Sequence, residues 1–276
     1  MEYTLLESKV LYHWEWVNRR DKASAEYIIV DEVQDFDTNE LAELQNAAKK
    51  HFILFGDSAQ QLYKNIPNKG KLLTMEEIQI QTNIPMENLV INHRLPKKVA
   101  RIAEKVTQSR DPLEDRCNKE GVNKPRLVEC SSFEDQLDYI KDVVKAQNYT
   151  DVGILLPTNN DVKIAKSYFD KSNWGVEAKI GYGSNSMDLD FTTENAKLMT
   201  YHSAKGLQFE AVFIPMCIGS DEKDRNPLYV ALTRSYRDLF ILYSNHLSTF
   251  IENIDRNLFE YHNEKNKNSV NDDLPF

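Results

Sequence analysis

The sequence predicts an α/β protein with mostly parallel sheets covered by helices, and three observations lead there. Tyr27-Ile28-Ile29-Val30 and Phe52-Ile53-Leu54-Phe55 are short apolar runs separated by a helix-patterned segment. Buried parallel strands joined by a crossover helix read this way. Both runs stop abruptly, at Asp31-Glu32-Val33-Gln34-Asp35 and at Gly56-Asp57-Ser58-Ala59-Gln60, which puts polar chemistry at the carboxyl edge of the sheet. From Arg126 onward, strand and helix patterns alternate with no repeat in the sequence itself, and such alternation favours a parallel sheet with helices on its faces.

Taken in order, residues 1–26 carry a helical apolar stripe of Leu5, Leu6, Val10, Leu11, Trp14 and Val17, better suited to core packing than to base stacking. After the first strand, Asp37 or Thr38 can cap a helix with Glu40 near its third position, and that helix runs to about Lys50. Residues 64–90 form a short connection with a small helix, and a further helix spans about Pro96 to Thr107. Lys97, Lys98, Arg101 and Lys105 on that helix form either a phosphate-contacting or a solvated face. Asp111-Pro112 and the polar stretch to Pro125 suggest a linker. Then come strand Arg126–Cys130, helix Phe133–Gln147, strand Val152–Leu156, helix Asp161–Asp170 and strand Val176–Ile180. A turn or loop at Gly181–Asn185 follows, then strands near Lys197–Thr200 and Ala211–Pro215, a helix Asn226–Ser235 and a last strand Leu239–Tyr243.

The 276 residues carry a net charge of −9, which excludes a generally basic, DNA-coating surface but not a local basic groove. No apolar run reaches the length of a membrane span. Cys117, Cys130 and Cys217 fit neither a disulfide framework nor a zinc site, so the expected setting is the reducing cytoplasm.

A carboxylate directly after a buried strand suits Mg²⁺, which takes one or two carboxylates together with substrate phosphates, and an adjacent Glu can polarise an attacking water. At this point the sequence resembles the UvrD/Rep-like superfamily 1 DNA helicases. Asp31-Glu32-Val33-Gln34-Asp35 resembles motif II, Gly56 to Tyr63 motif III and Asn92-His93-Arg94 motif IV. Thr200 to Phe209 resembles motif V and Leu228 to Arg234 motif VI.

The resemblance implies two RecA-like lobes of the P-loop-NTPase type, the first incomplete: residues 1–110 with motifs II to IV, and residues 111–262 with motifs V and VI. A disordered acidic tail, 263–276, would follow. It implies ATP and Mg²⁺ as cofactors and single-stranded DNA as partner. Asp31 would hold the metal, Glu32 would activate water, Gln60 would sense the γ-phosphate, and Arg94 and Arg234 would neutralise its charge. Gln34, Asp57, His93, Gly206 and Gln208 would line the nucleotide site. Tyr63, Thr200, His202 and Lys205 would contact DNA. The ending Asp272-Asp273-Leu274-Pro275-Phe276 resembles the acidic tip of bacterial single-stranded-DNA-binding proteins, which implies docking to a protein partner.

Several positions depart from the family. His93 stands where the family has a stacking Tyr, and Gln208 where it has Glu. Lys64-Asn65-Ile66-Pro67 follows Tyr63 in place of the family's Trp-containing stacking segment. No Gly-x-x-x-x-Gly-Lys-Ser/Thr occurs, and the lack of a P-loop strand should leave apolar sheet surface uncovered. The expected function is the C-terminal portion of an ATP-dependent helicase or translocase moving 3′ to 5′, inactive without a P-loop. An ATPase-deficient DNA- or protein-binding module and one subunit of a two-component motor remain as alternatives.

Overall fold

Asp37 begins the helix that separates the first two strands. Its carboxylate accepts the N–H groups of Asn39 and Glu40, and Glu40 returns to the Asp37 N–H at 2.9 Å. This reciprocal cap satisfies donors that the first turn leaves open. It fixes α1 (Thr38–Ala47) between β1 (Ala25–Val30) and β2 (Ala48–Leu54), which pair in parallel with Ile28 opposite Phe52 and Val30 opposite Leu54.

The computed structural model describes residues 24–57, 70–107, 112–181 and 189–265. The expectations for the N-terminal helix, for Gln60 and Tyr63, and for the Asp272–Phe276 tip lie outside these residues, as does most of the Gly181–Asn185 loop. The chain divides into two units, Met1–Asn88 and Leu89–Phe276. The division puts Asn92–Arg94 in the second unit, ahead of the boundary expected near residue 110.

In the first unit, Ile28, Val30, Phe52 and Leu54 pack against Val33, Leu41, Leu73 and Ile78, the last from α2 (Met75–Thr82). The alternate positions behave otherwise: Tyr27, Ile29, Ile53 and Phe55 are 57, 65, 40 and 51 % exposed. Two strands read as fully buried are therefore buried on one face only.

In the second unit, β3 (Asn92–Pro96) pairs in parallel with β4 (Cys117–Lys119). Between them lie α3 (Lys97–Val106) and the short α4 (Leu113–Arg116). The expected linker is thus a folded part of this unit. Val99, Ala100, Ile102, Ala103 and Val106 give α3 a fully buried stripe, and three of its basic residues serve the unit itself. Arg101 forks onto Glu114, Lys98 donates to the Val122 carbonyl at 2.8 Å, and Lys97 lies 3.8 Å from Glu120.

The main sheet has seven strands, all in parallel register. They are β5 (Arg126–Glu129), β6 (Val152–Leu156), β7 (Val176–Ala178), β8 (Ala196–Thr200), β9 (Phe209–Ile214), β10 (Ser235–Tyr243) and β11 (Glu260–Asn263), in the order β11-β5-β10-β9-β6-β8-β7. Helices α5 (Phe133–Gln147), α6 (Asn159–Lys171), α7 (Glu222–Leu232) and α8 (Thr249–Glu252) complete the unit. The core holds Phe213 stacked on Phe240 at 4.3 Å and Phe169 edge-on to Trp174 at 4.7 Å. Burying side chains of this size is worth about 1.5–3 kcal/mol each.

Two boundaries differ from expectation for physical reasons. Helix α7 starts at Glu222, ahead of the expected Asn226, and Asp224 Oδ2 accepts the Asp221 N–H at 3.1 Å at its first turn. Strand β10 begins at Ser235 because Ser235 pairs with Phe209 across the sheet. Strand β11 was not foreseen; it adds to the β5 edge with Tyr261 opposite Leu127.

Candidate functional site

The two edges predicted to carry nucleotide chemistry meet within the first unit through one buried amide. Gln34, 1 % exposed, donates from Nε2 to Glu32 Oε2 at 2.5 Å and accepts the Asp57 N–H at 3.0 Å. Backbone bonds from Val33 N–H to Phe55 O (2.9 Å) and from Phe55 N–H to Val30 O (2.8 Å) lock the two loops side by side. A Cβ on Gly56 would stand 2.8 Å from both Gln34 Oε1 and Val33 Cγ1, so only glycine lets the loops come this close.

Glu32 adopts φ 53°, ψ 42°, a left-handed conformation uncommon outside glycine and costly to hold. Asp31 is exposed at the end of β1, with Oδ1 accepting the Glu32 N–H at 2.9 Å. One exposed carboxylate beside a held glutamate fits Mg²⁺ that takes its remaining ligands from phosphate and water. Among the described residues no group of three His, Cys, Asp or Glu could hold a metal by itself.

In the second unit the expected residues separate onto the two ends of the sheet. Thr200 pairs with Leu156 at the carboxyl end, whereas Phe209 pairs with Ser235 at the amino end. Tyr201–Gln208 therefore runs from one edge to the other. Thr200 is buried, and its hydroxyl accepts the Ser203 N–H at 3.2 Å, so it caps a turn and does not face outward. His202 is half-buried, and desolvation lowers its pKa, favouring the neutral imidazole. Lys205 is half-buried, and Gly206, exposed, takes φ +80° at the turn back toward β9.

At the amino end, Gln208 meets Arg94. With the Gln208 amide oxygen turned to the guanidinium, it accepts from Arg94 Nε at 3.1 Å and Nη1 at 3.2 Å. Arg234 is only 4 % exposed. It donates to the carbonyls of Val230 (2.9 Å) and Leu207 (3.3 Å) and to Thr233 Oγ1 (3.0 Å). The two arginines expected at a triphosphate are thus unlike: Arg94 is presented outward, and Arg234 is turned into the fold, where it holds the Leu207-Gln208 end of the loop. His93 is exposed beside Arg94, with Nδ1 2.6 Å from Asn118 Nδ2. Asn118 and Lys119 were missed because a three-residue strand has no periodicity to detect.

Residues 195–242 match the UvrD-like helicase C-terminal domain family. Over this stretch the chain is similar to that family. The matched segment takes in β8, the Tyr201–Gln208 loop, β9, α7 and nearly all of β10, and so contains both ends of the loop and Arg234. A "Probable DNA helicase II homolog" of Mycoplasma capricolum subsp. capricolum is 24 % identical over 237 residues, covering 74 % of this chain and 32 % of the relative. The chain therefore spans about a third of that relative's length. The C-terminal domain of a possible DNA helicase from Lactobacillus plantarum WCFS1 is a structural neighbour at TM-score 0.48 and 16 % identity, covering 63 % of this chain and 99 % of that one. Among the described residues no helix is long and apolar enough to cross a membrane.

Proposed function

We propose that this chain is the C-terminal portion of an ATP-dependent superfamily 1 DNA helicase or translocase that couples hydrolysis to 3′-to-5′ movement on single-stranded DNA. The observation that carries it is the buried Gln34 amide, which binds Glu32 and the Asp57 backbone at once and so joins the two loops that would handle a phosphate. In this reading Asp31 holds Mg²⁺, which supplies charge neutralisation at the phosphates when bound. Glu32 orients the attacking water, Gln60 responds to loss of the γ-phosphate, and Arg94 neutralises developing charge. Arg234 acts through Leu207 and Gln208, keeping the loop in place. His202 and Lys205 serve the DNA strand.

The chain has no Gly-x-x-x-x-Gly-Lys-Ser/Thr, so hydrolysis depends on a phosphate cradle supplied from outside these residues. The test is Mg²⁺-ATP hydrolysis with and without single-stranded DNA, beside Glu32→Gln. The 276 residues alone should not exceed that variant, while binding of labelled oligo-dT should fall when Lys205 is changed to Ala. DNA-stimulated turnover by these residues alone, abolished by Glu32→Gln, would overturn the dependence on an outside cradle. Unchanged oligo-dT binding in Lys205→Ala would remove Lys205 from the DNA contacts.

The inward-turned Arg234 favours a second reading, an ATPase-deficient module that binds DNA or protein. Normal DNA binding without hydrolysis even when a P-loop polypeptide is added would select it.

A further inference from the structure

Several cations of the second unit end on carboxylates: Arg101 on Glu114, Arg237 on Glu210, Lys197 on Glu177 at 3.1 Å, Arg225 on Glu222 at 3.0 Å. Arg94 and Lys119 do not. Both are exposed, and among the described residues both are held by neutral oxygens, Arg94 by the Gln208 amide and Lys119 by the Tyr236 carbonyl. The Lys119 ammonium also lies 5.5 Å from the centre of the Tyr236 ring. A neutral acceptor orients a cation without cancelling its charge, which leaves the field free for an incoming anion.

Lys98 and Lys124 also end on carbonyls, of Val122 and Asn257, so the contact type alone decides nothing. The placement does. Arg94 and Lys119 sit on the paired strands β3 and β4. Their acceptors, Gln208 and Tyr236, immediately flank the paired residues Phe209 and Ser235. Both charges are therefore gathered at the amino ends of β9 and β10. His93 precedes Arg94 in β3 and meets Asn118, the residue before Lys119 in β4. With the Asn118 amide nitrogen donating to His93 Nδ1 at 2.6 Å, the neutral ring carries its proton on Nε2, a further outward donor.

We propose that Arg94, Lys119 and the Asn118-oriented His93 form a phosphate-binding surface, in which Lys119 is a direct phosphate contact. Arg94 offers a planar fork and Lys119 a point charge, a pair suited to adjacent phosphate oxygens. The inference deepens the helicase reading and rests on it only for what carries the phosphate, a nucleoside triphosphate or a DNA strand.

The experiment measures binding of a fluorescent ATP analogue and of labelled oligo-dT to the full chain at about 50 and 200 mM salt. Lys119→Gln should weaken one of the two by about three- to tenfold; if that ligand is DNA, its salt slope should fall by about 1. Lys119→Arg should stay within about twofold of the parent, since charge is kept. Lys141→Gln removes one charge on α5, from a lysine 2.8 Å from Asp138, and should change neither ligand. Whichever ligand weakens identifies the phosphate source. If both affinities survive Lys119→Gln, or if Lys141→Gln weakens them equally, the surface is overturned. A Lys119→Gln binding defect in a chain that hydrolyses nothing under any condition would keep the surface and sink the hydrolase reading.

Discussion

Gln34 Oε1 accepts the Asp57 N–H at 3.0 Å across 23 residues of chain, and the same amide donates to Glu32. One buried side chain thereby sets the spacing of two loops that end neighbouring strands. Replacing it with Leu leaves the Asp57 N–H without this acceptor and removes its bond to Glu32. Gln34→Leu should cost about 1–3 kcal/mol, read as a lower urea midpoint of the first unit with the second unit unchanged.

Gly56→Ala tests the same junction from the other side. The added methyl would meet Gln34 Oε1 and Val33 Cγ1 at 2.8 Å and Met75 Sδ at 3.0 Å. Three neighbours at once leave little room to relax, so a loss of about 1–3 kcal/mol is expected. A melting curve within error of the parent would mean that the two loops are not packed this closely.

Gly153 has a comparable role in the seven-stranded sheet, where a Cβ would lie 2.5 Å from the Phe209 ring. Gly153→Ala should destabilise the second unit by about 3 kcal/mol. Phe209→Leu in the same chain should recover part of the loss, with a coupling of about 1 kcal/mol or more in a double-mutant cycle. Additive effects would show that the two residues do not touch.

Gln208→Glu would place a carboxylate on Arg94. Because the pair is partly exposed, the gain should be at most about 1 kcal/mol at low salt and should vanish near 1 M. Urea denaturation at the two salt levels checks this. A salt-independent change would mean that the guanidinium does not face residue 208.

Glu177 provides a pH prediction. Burial raises its pKa, but the Thr193 hydroxyl, the Lys197 ammonium, the Asp190 N–H and the Asn195 amide outweigh burial and hold the value at about 2, against an ordinary 4.5. The folded value lies below the unfolded one. The group therefore adds stability above about pH 4.5, and that stability is lost as pH falls from there toward 2. Glu177→Gln should lower stability at neutral pH and flatten its dependence between these values. Parallel stability–pH curves for parent and variant would contradict the assignment.

The parallel α/β architecture was written in the sequence because both of its signals are local. Apolar runs such as Ile154-Leu155-Leu156 mark strands by composition, and caps such as Asp37 with Glu40, or Ser132 ahead of Phe133, mark helix starts within four residues. The motif residues could be named for the same reason: Asp31, Glu32, Arg94 and Gln208 lie in short contiguous patterns. Tertiary structure alone decided what those residues do with their side chains. Whether Arg234 faces outward depends on the Val230 and Leu207 carbonyls it meets after α7 packs, and whether Thr200 is reachable depends on the turn it caps. The β3–β4 pair that unites His93 with Asn118 joins positions 25 residues apart, through a strand too short to announce itself. Backbone propensity and patterning act over a few residues and are readable in one dimension. Burial, charge compensation and close approach come from residues far apart in the chain, and they exist only once the chain has folded.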